Sequence, residues 1–199
     1  MSQIKLKHSG GNSVIIAAPD SNPASDRTLK LPSDADGTMA RTLDVAFKSY
    51  AIICDQKTSG THGGTFTSGD WRTRDLNTEI SDVDGIVSIS SNQFTLQAGT
   101  YLVVASAPAF VVDRHMIRMM NETDGTVVEY GTSEYTNSSD GTNNRSFLKT
   151  RFTISGAKDF EISHRCQTTR NSDGFGVNSG GNFTVNNEKY TIVEIYKEV

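Results

Sequence analysis

Four histidines are the side chains best suited to acid–base or metal chemistry, and they are scattered along the chain at His8, His62, His115 and His164. A zinc site needs cysteine, histidine or carboxylate ligands grouped at short spacings, and no set of cysteines and aspartates accompanies them in such a pattern. His164 alternates with apolar residues, which predicts a core or interface histidine. His62 lies in a glycine-rich stretch, which predicts a surface loop. We therefore expect neither a metal site nor a catalytic base at the histidines.

Two acidic pairs stand before glycines, D-A-D-G at 34–37 and D-V-D-G at 82–85. A helix–loop–helix calcium loop needs acids at its first, third and fifth positions and a later glutamate. Neither stretch supplies these, so ordinary Asp-Gly turns are expected. No G-x-S-x-G turn is present to expose a serine nucleophile. A glycosidase carboxylate pair stays open, since the two acids can lie far apart in the sequence. No cofactor is expected.

Composition and charge limit the partners of this 199-residue chain. Its net charge of −4 and its lack of a Lys/Arg run argue against general nucleic-acid binding, which needs a basic patch. No apolar stretch of about 18 residues predicts membrane insertion, and the N-terminus lacks the apolar segment typical of a secretory leader. Cys54 and Cys166 are expected to be reduced core thiols rather than a disulfide.

Apolar residues recur with period two through most of the chain, a pattern typical of strands with one buried face. Residues 145–154 and 158–168 separate the two faces clearly, and the Ser155-Gly156 turn between them predicts a hairpin. Helical periodicity is nearly absent, so the predicted fold class is all-β. Further strands are predicted at 50–55, 86–90, 93–96, 100–107, 114–121, 126–130 and 189–197.

The last predicted strand carries apolar residues on both of its faces. Tyr190 and Ile192 fall on one face, and Val193 and Ile195 fall on the other. A strand that buries both faces lies centrally in a sandwich or at a contact between subunits.

The first forty residues differ from the rest and form a predicted segment of two or three short strands. Such strands bury too little apolar surface to be stable alone, so they pack on the main body or on other copies. The predicted domains are an attachment and trimerisation segment, 1–44, and a head domain, 45–199. The apolar and proline residues expected to form the attachment segment are Val14, Ile15, Ile16, Pro19, Leu29, Leu31 and Pro32.

Residues 49–199 resemble the superfamily of tumour-necrosis-factor-like and complement-globular-head domains. The resemblance rests on the ensemble Y-A-I-I-C-D-Q, G-T-F-T-S-G-D-W-R-T-R-D-L-N-T, F-T-L-Q-A-G-T-Y-L-V-V-A-S-A-P and the terminal Y-T-I-V-E-I-Y. It implies a ten-strand antiparallel jelly-roll sandwich that assembles as a homotrimer, with a weak calcium site left open. The aromatic pattern adds candidates for the trimer interface or core: Trp71, Tyr101, Phe152, Phe160, Tyr190, Ile192 and Tyr196.

The N-terminal phrases V-I-I-A-A-P and R-T-L-K-L-P resemble a short module of bacteriophage tail-fibre and virion proteins, including those of cyanobacterial phages. This implies a non-enzymatic virion protein, made in the bacterial cytoplasm, that contacts itself, other virion proteins and a host-surface saccharide or receptor. The polar loops at 136–144 and 171–181 give the candidate ligand residues Asn137, Asp140, Asn143, Asn171, Asp173 and Asn178. The alternatives are a capsid decoration or tail connector protein without a ligand, and a polysaccharide depolymerase.

Overall fold

The computed structural model describes residues 3–7, 9–11, 13–17, 47–137, 139–180 and 186–198. Every regular element in these ranges is a β-strand, and the chain divides into two compact units, Met1–Met39 and Ala40–Val199. Accordingly, the described residues contain no helix long and apolar enough to cross a membrane. The strands are β1 (Gln3–Lys7), β2 (Ser13–Ala17), β3 (Phe47–Thr58), β4 (Arg72–Thr73), β5 (Thr78–Ser81), β6 (Val87–Ser90), β7 (Gln93–Leu96), β8 (Gly99–Phe110), β9 (Asp113–Asn121), β10 (Thr126–Tyr130), β11 (Glu134–Thr136), β12 (Asn143–Ile154), β13 (Lys158–Cys166) and β14 (Asn187–Glu198).

The first unit contains one antiparallel pair, β1 with β2, in a register that joins Gln3 to Ala17 and Lys7 to Ser13. Val14, Ile15 and Ile16 of the predicted attachment segment lie in β2. The other four residues of that prediction lie outside the described residues: Pro19, Leu29, Leu31 and Pro32.

The second unit is a jelly roll of two antiparallel sheets. Sheet I has the strand order β12-β8-β14-β3-β5, and sheet II has the order β10-β9-β13-β7-β6, with β11 added to β9 and β4 added to β13. From β8 to β14 the chain passes repeatedly between the sheets, so the strands that neighbour each other in sheet I are not consecutive in sequence, whereas sheet II contains the consecutive pairs β6–β7 and β9–β10. This is the Greek-key winding of a double-sheet jelly roll, and it confirms the predicted all-β antiparallel sandwich, with ten strands on the main paths of the two sheets and the short β4 and β11 added to sheet II.

The turn at Ser155-Gly156 is a crossover between the sheets, so the predicted hairpin is wrong. β12 pairs with β8 in sheet I, whereas β13 pairs with β9 and β7 in sheet II. Both strands do alternate as expected, with Leu148 and Phe160 buried. Alternation identifies the buried face of a strand, but it carries no information about which sheet contains the strand.

A β-bulge in β14 breaks the alternation predicted for the last strand. Lys189 pairs with Gln56 but Ile192 pairs with Cys54, so two residues of β14 stand opposite one residue of β3. Tyr190 and Thr191 between them are both buried, whereas Ile192 is half-buried. Because an extra residue changes the parity of a strand, the prediction that Tyr190 and Ile192 share one face does not hold.

Aromatic rings connect the two sheets through the core. Phe94 and Phe160 of sheet II have ring centroids 5.6 Å apart, Phe160 lies 5.3 Å from Phe152, and Phe152 lies 6.1 Å from Tyr101 of sheet I. Burying each such side chain contributes about 1.5–3 kcal/mol. The contacts run from one sheet to the other, so they fix the sandwich rather than either sheet alone.

The two cysteines are free and buried, as the sequence predicts. Cys54 lies in β3 of sheet I and Cys166 in β13 of sheet II. Burial raises the pKa of both thiols, that of Cys166 to about 12. Both side chains therefore remain protonated at neutral pH, where thiol reactivity depends on the thiolate.

Candidate functional site

An open cleft of about 850 Å³ lies at one end of sheet II, where β9, β11 and β13 come together. This volume is within the range of small-molecule sites. Its lining combines aromatic rings, planar polar groups and two arginines; the residues are Trp71, Arg114, His115, Met116, Ser133, Glu134, Tyr135, Asn144, Arg165, Cys166 and Gln167.

A tight turn between β8 and β9 positions two of these residues. Val111 has φ 57° and Asp113 has φ 60°, a left-handed conformation that is uncommon for a β-branched side chain. The hydroxyl of Thr136 donates to the carbonyl oxygen of Asp113 at 3.3 Å, which joins the turn to β11. Arg114 and His115 follow at once, so the turn sets where the guanidinium and imidazole enter the cleft.

Trp71 lines the cleft and is held by Arg118 and Tyr130, which lie next to it outside the lining. The Arg118 guanidinium lies 4.3 Å from the centroid of the Trp71 ring and donates to the hydroxyl of Ser163 at 3.4 Å. The ring of Tyr130 lies 6.0 Å from that of Trp71. Such contacts hold an aromatic ring in place at a wet surface. Tyr135 contributes a second ring to the cleft and is 54% exposed.

A hydrogen-bonded chain of four side chains forms the floor of the cleft. His164 Nε2 lies 3.0 Å from His115 Nδ1, and His115 Nε2 lies 2.7 Å from Asn144 Oδ1. The Asn144 amide nitrogen donates to Glu134 Oε2 at 3.4 Å and to the carbonyl of Tyr135 at 3.1 Å. Both partners of that nitrogen are acceptors, so the orientation of the Asn144 amide is fixed.

The fixed Asn144 amide determines the tautomers of both histidines. Asn144 Oδ1 can only accept, so the proton of neutral His115 is on Nε2 and its Nδ1 accepts from His164. The proton of His164 is therefore on Nε2. Its Nδ1, which is buried without a hydrogen-bond partner, is then a bare lone pair rather than an unpaired N–H donor.

Burial keeps both histidines neutral. Desolvation lowers the pKa of His115, although the Asn144 hydrogen bond and the Glu134 carboxylate oppose this effect. Desolvation lowers the pKa of His164 well below its usual value, and the positive charge of Arg74 lowers it further. Neutral, buried and engaged with each other, the two imidazoles support the cleft rather than act as its acid or base.

The cleft carries unneutralised positive charge. Arg114 donates to Gln167 Oε1 at 3.0 Å, and Arg165 donates to the carbonyl of Gly69 at 3.4 Å. Neither arginine takes part in an ion pair found among the described residues. The lining has one carboxylate, Glu134, whose Oε1 accepts a hydrogen bond at 2.7 Å from a threonine hydroxyl.

The outer face of sheet I is a second candidate surface, and it is apolar. Along β8 and β14 the inner residues are buried in the core, while the outer residues between them are half-buried. Register aligns Tyr50, Tyr196 and Leu102 in one row and Ile52, Glu194 and Val104 in the next. In both rows the next residue, on β12, is charged. The outward apolar residues of the sheet are Tyr50, Ile52, Leu102, Val104, Phe147, Ile192 and Tyr196.

The predicted interface or core residues separate into three locations. Tyr101 and Phe160 are fully buried in the core, with Phe152 packed against them. Tyr190 is buried, and its hydroxyl donates to the carbonyl of Thr61. Ile192 and Tyr196 lie on the outer face of sheet I, and Trp71 lines the cleft.

Three of the six predicted ligand-loop residues, Asn137, Asp140 and Asp173, bond locally in or next to their own loops, and Asn178 bonds to a distant segment. Asn137 donates to Asp140, Asp173 pairs with Arg170 at 2.6 Å, and Asn178 donates to the carbonyl of Gly60 at 2.6 Å. Asn143 begins β12 opposite Phe110, and Asn171 is exposed. None of the six lines the cleft described above.

No described group of three or more His, Cys, Asp or Glu residues could hold a metal ion. Within the D-V-D-G stretch, both carboxylate oxygens of Asp82 accept backbone N–H groups, from Ile86 and Val87 at 2.9 Å each. This is turn chemistry, as predicted for this stretch. The D-A-D-G stretch at 34–37 lies outside the described residues.

Sequence reasoning missed most of the cleft. The predicted strands 114–121 and 158–168 place arginines at outward positions, and this was the available signal. The outward arginines indicate a shared site only once the structure shows that β9 and β13 are paired, with Met116 opposite Arg165. The contribution of Tyr135 comes from β11, a three-residue strand too short to give a periodic pattern.

Comparison with known proteins gives no family model and no curated protein that matches the chain. Among solved structures, the globular domain of the zebrafish complement 1qA protein aligns at 13% identity and TM-score 0.47, over 75% of this chain and 97% of its own. Murine APRIL aligns at 7% identity and TM-score 0.47, over 75% and 98%. Eiger TNF from S. frugiperda aligns at 11% identity and TM-score 0.47, over 78% and 94%. The jelly-roll assignment rests on the strand order of this chain.

Proposed function

We propose that this chain is a non-enzymatic protein that assembles as a homotrimer through the outer face of sheet I and presents its jelly roll as a ligand-binding head. The observation that carries the proposal is the apolar character of this face on a sheet whose other face already covers the core. The number of subunits, three, comes from the sequence resemblance.

An antiparallel sheet with one solvated face normally carries polar residues on that face. Here Leu102, Val104 and Ile192 occupy central outward positions of sheet I. At one end the ring of Tyr196 lies 5.2 Å from that of Phe47 and 6.4 Å from that of Tyr50. An apolar surface of this kind, interrupted by Glu194, marks an interaction surface, and a second copy carries a matching one.

The lining of the cleft argues against hydrolysis. Glycoside hydrolysis by the usual route requires two carboxyl groups flanking the scissile bond. Glu134 is the single carboxylate among the described lining residues, and Asn144 already binds it. A depolymerase acting at this cleft would lack either its acid or its nucleophile, which supports binding over catalysis.

Two charge insertions test the assembly. Val104→Lys introduces a cation at the centre of the outer face of sheet I, beside Glu194. Met120→Lys is the matched control, because it introduces a cation beside Glu161 on the outward side of sheet II. Light scattering should give about three times the 21.6 kDa chain mass for the wild type and Met120→Lys. Val104→Lys should give the monomer mass with an unchanged circular dichroism spectrum. A monomeric wild type at micromolar concentration, or equal disruption by both variants, contradicts the proposal.

We further propose that the protein belongs to a phage particle, with its N-terminal segment attached to other virion proteins. The support is the sequence resemblance of V-I-I-A-A-P and R-T-L-K-L-P. Gold-labelled antibody against the chain tests this on intact particles. Label at fibre or tail tips favours host attachment, and label spread over the head favours a decoration protein. Particles that carry no label contradict the placement.

A further inference from the structure

We propose that the cleft at the end of sheet II binds an acidic saccharide, with the ring of Tyr135 or Trp71 packed against a sugar face and Arg114 and Arg165 paired with the sugar carboxylate. This inference rests on the proposed ligand-binding role and gives that role a site and a class of ligand.

The aromatic residues of the cleft suit a sugar ring. One face of a pyranose presents C–H groups, which pack on an aromatic ring without a charge requirement, while the hydroxyl groups at its edge need hydrogen-bond partners. Tyr135 is exposed, and Arg118 already covers one face of Trp71. The exposed ring of Tyr135 is therefore the main surface on which a sugar can pack, and the half-buried Trp71, which also contacts Tyr130, lines the same cleft.

Planar polar side chains surround these rings. The Gln167 amide and the Arg114 guanidinium contact each other at 3.0 Å at the edge of the cleft, whereas the Asn144 amide in the floor is already bonded to His115, Glu134 and the carbonyl of Tyr135. Amides and guanidinium groups can form paired hydrogen bonds with neighbouring hydroxyl groups or with a carboxylate. Because the protein already orients these side chains, ligand binding costs little free energy for ordering them.

The charge of the cleft selects an acidic ligand over a neutral one. Arg114 and Arg165 lack a carboxylate partner among the described residues, and the one carboxylate in the lining is held by Asn144. The whole chain has a net charge of −4, so this positive cleft is a local feature rather than a property of the surface. Clefts lined by one sign of charge concentrate ligands of the opposite sign.

The size of the cleft favours a short saccharide over a protein partner. A volume of about 850 Å³ lies in the range of small-molecule sites, whereas protein partners bury flatter areas of about 800 Å² on each side. Single saccharide sites are weak, and three copies of the cleft in one assembly would raise the avidity on a repetitive surface.

The single tryptophan makes the test direct, because Trp71 lines the cleft and reports binding through its fluorescence. The full chain is titrated with trigalacturonic acid, with a sialylated trisaccharide and with the trimethyl ester of trigalacturonic acid. The ester keeps the rings and hydroxyl groups but has no charge. We expect saturable quenching or enhancement with an acidic sugar, about tenfold weaker binding of the ester, and weaker acid binding at high salt.

Variants separate the two parts of the site. Arg114→Gln and Arg165→Gln should each weaken binding of the acid about tenfold while leaving binding of the ester unchanged. Tyr135→Ala should weaken both ligands equally, about fivefold, because stacking does not depend on charge. Lys189→Gln, which removes one positive charge from an exposed position on β14, is the control and should bind like the wild type.

Three results overturn the inference: no fluorescence change with either acidic trisaccharide up to about 10 mM, equal binding of acid and ester, or equal loss of binding in Lys189→Gln. Light scattering on the same samples distinguishes this inference from the proposed assembly. A trimer that binds no acidic sugar overturns the cleft assignment alone. A monomer that binds the acidic sugar supports the cleft and overturns the trimer.

Discussion

Acidification from pH 7.5 to 5.5 should destabilise this protein through the buried pair His115 and His164. Both imidazoles are neutral in the fold, because desolvation lowers their pKa and the hydrogen-bond chain to Asn144 leaves no acceptor for a further proton on His115. The nearest charges act in opposite directions, since Arg74 lowers the pKa of both histidines and Glu134 raises that of His115.

The sign and size of this change in stability follow from the linkage between proton binding and folding. Unfolding exposes both imidazoles, which then bind protons near their ordinary pKa of 6.5. A group whose pKa is lowered in the fold contributes stability above the unfolded pKa, and that stability is lost as the pH falls below it. For His164, whose pKa in the fold is well below its ordinary value, the loss between pH 6.5 and 5.5 approaches about 1 kcal/mol, and His115, whose pKa is also lowered, adds a loss of the same sign.

Urea unfolding at fixed protein concentration, followed by circular dichroism from pH 7.5 to 5.5, measures this loss. Above pH 5.5 most carboxylates remain ionised in the unfolded chain, which isolates the histidine contribution. His115→Gln can still donate to Asn144 and accept from His164, and His164→Phe places an apolar ring between Phe66 and Phe175. Both variants should reduce the dependence of the unfolding free energy on acid pH, His164→Phe more than His115→Gln, because the pKa of His164 is lowered well below its ordinary value. An unchanged slope in both variants, or a wild type that gains stability on acidification, refutes the reasoning.

Two further predictions concern single positions in the core, both read by urea unfolding. Arg74 is wholly buried, its guanidinium donates to the carbonyl of Phe175 at 2.9 Å, and burial lowers its pKa to about 9, so it stays charged. Arg74→Met leaves that carbonyl unpaired and should lower the free energy of unfolding by roughly 3 kcal/mol. Arg74→Lys should recover only part of this loss. A loss of less than about 1 kcal/mol in Arg74→Met contradicts the prediction. Gly131→Ala should lower the free energy of unfolding by about 1–3 kcal/mol, because the added Cβ would lie 2.7 Å from the carbonyl oxygen of Phe147. The control is Gly156→Ala, whose Cβ would have no atom within 4 Å, so its effect on stability should be neutral or favourable. Equal stabilities for the two alanine variants would show that the backbone at Gly131 can shift.

The sequence was informative about strands and weak on how they pair. Alternation identified β12 and β13 and the buried positions Leu148 and Phe160, because burial on one face imposes period two locally. Which strand pairs with which depends on residues far apart in the chain, and the local alternation of apolar residues does not indicate these pairings. The Ser155-Gly156 turn was therefore interpreted as a hairpin when it joins two sheets.

The cleft was harder to predict than the fold for the same reason. Its residues come from β9, β11, β12, β13 and the segment before β4, and they meet because β13 pairs with both β4 and β9 while β11 pairs with β9. Trp71 was predicted for the trimer interface or core, and its contact with Arg118 joins elements distant in sequence. Polar loops attracted the ligand prediction because loops often carry function, although the side chains of Asn137 and Asp173 bond within their own loops.

The two proposals constrain each other through the geometry of the sandwich. Sheets I and II pack with their inner faces together, so the outer face of sheet I and the outward side of sheet II point in opposite directions. If sheet I turns toward the symmetry axis of a trimer, sheet II must turn away from it. The clefts with Trp71 and Tyr135 then stand on the outside of the assembly, one per subunit, which is the arrangement that gains avidity from a repetitive saccharide surface. The Val104→Lys monomer should therefore keep its affinity for a soluble trisaccharide but lose most of its retention on an immobilised acidic polysaccharide. Loss of both together would place the binding site at the subunit contact instead.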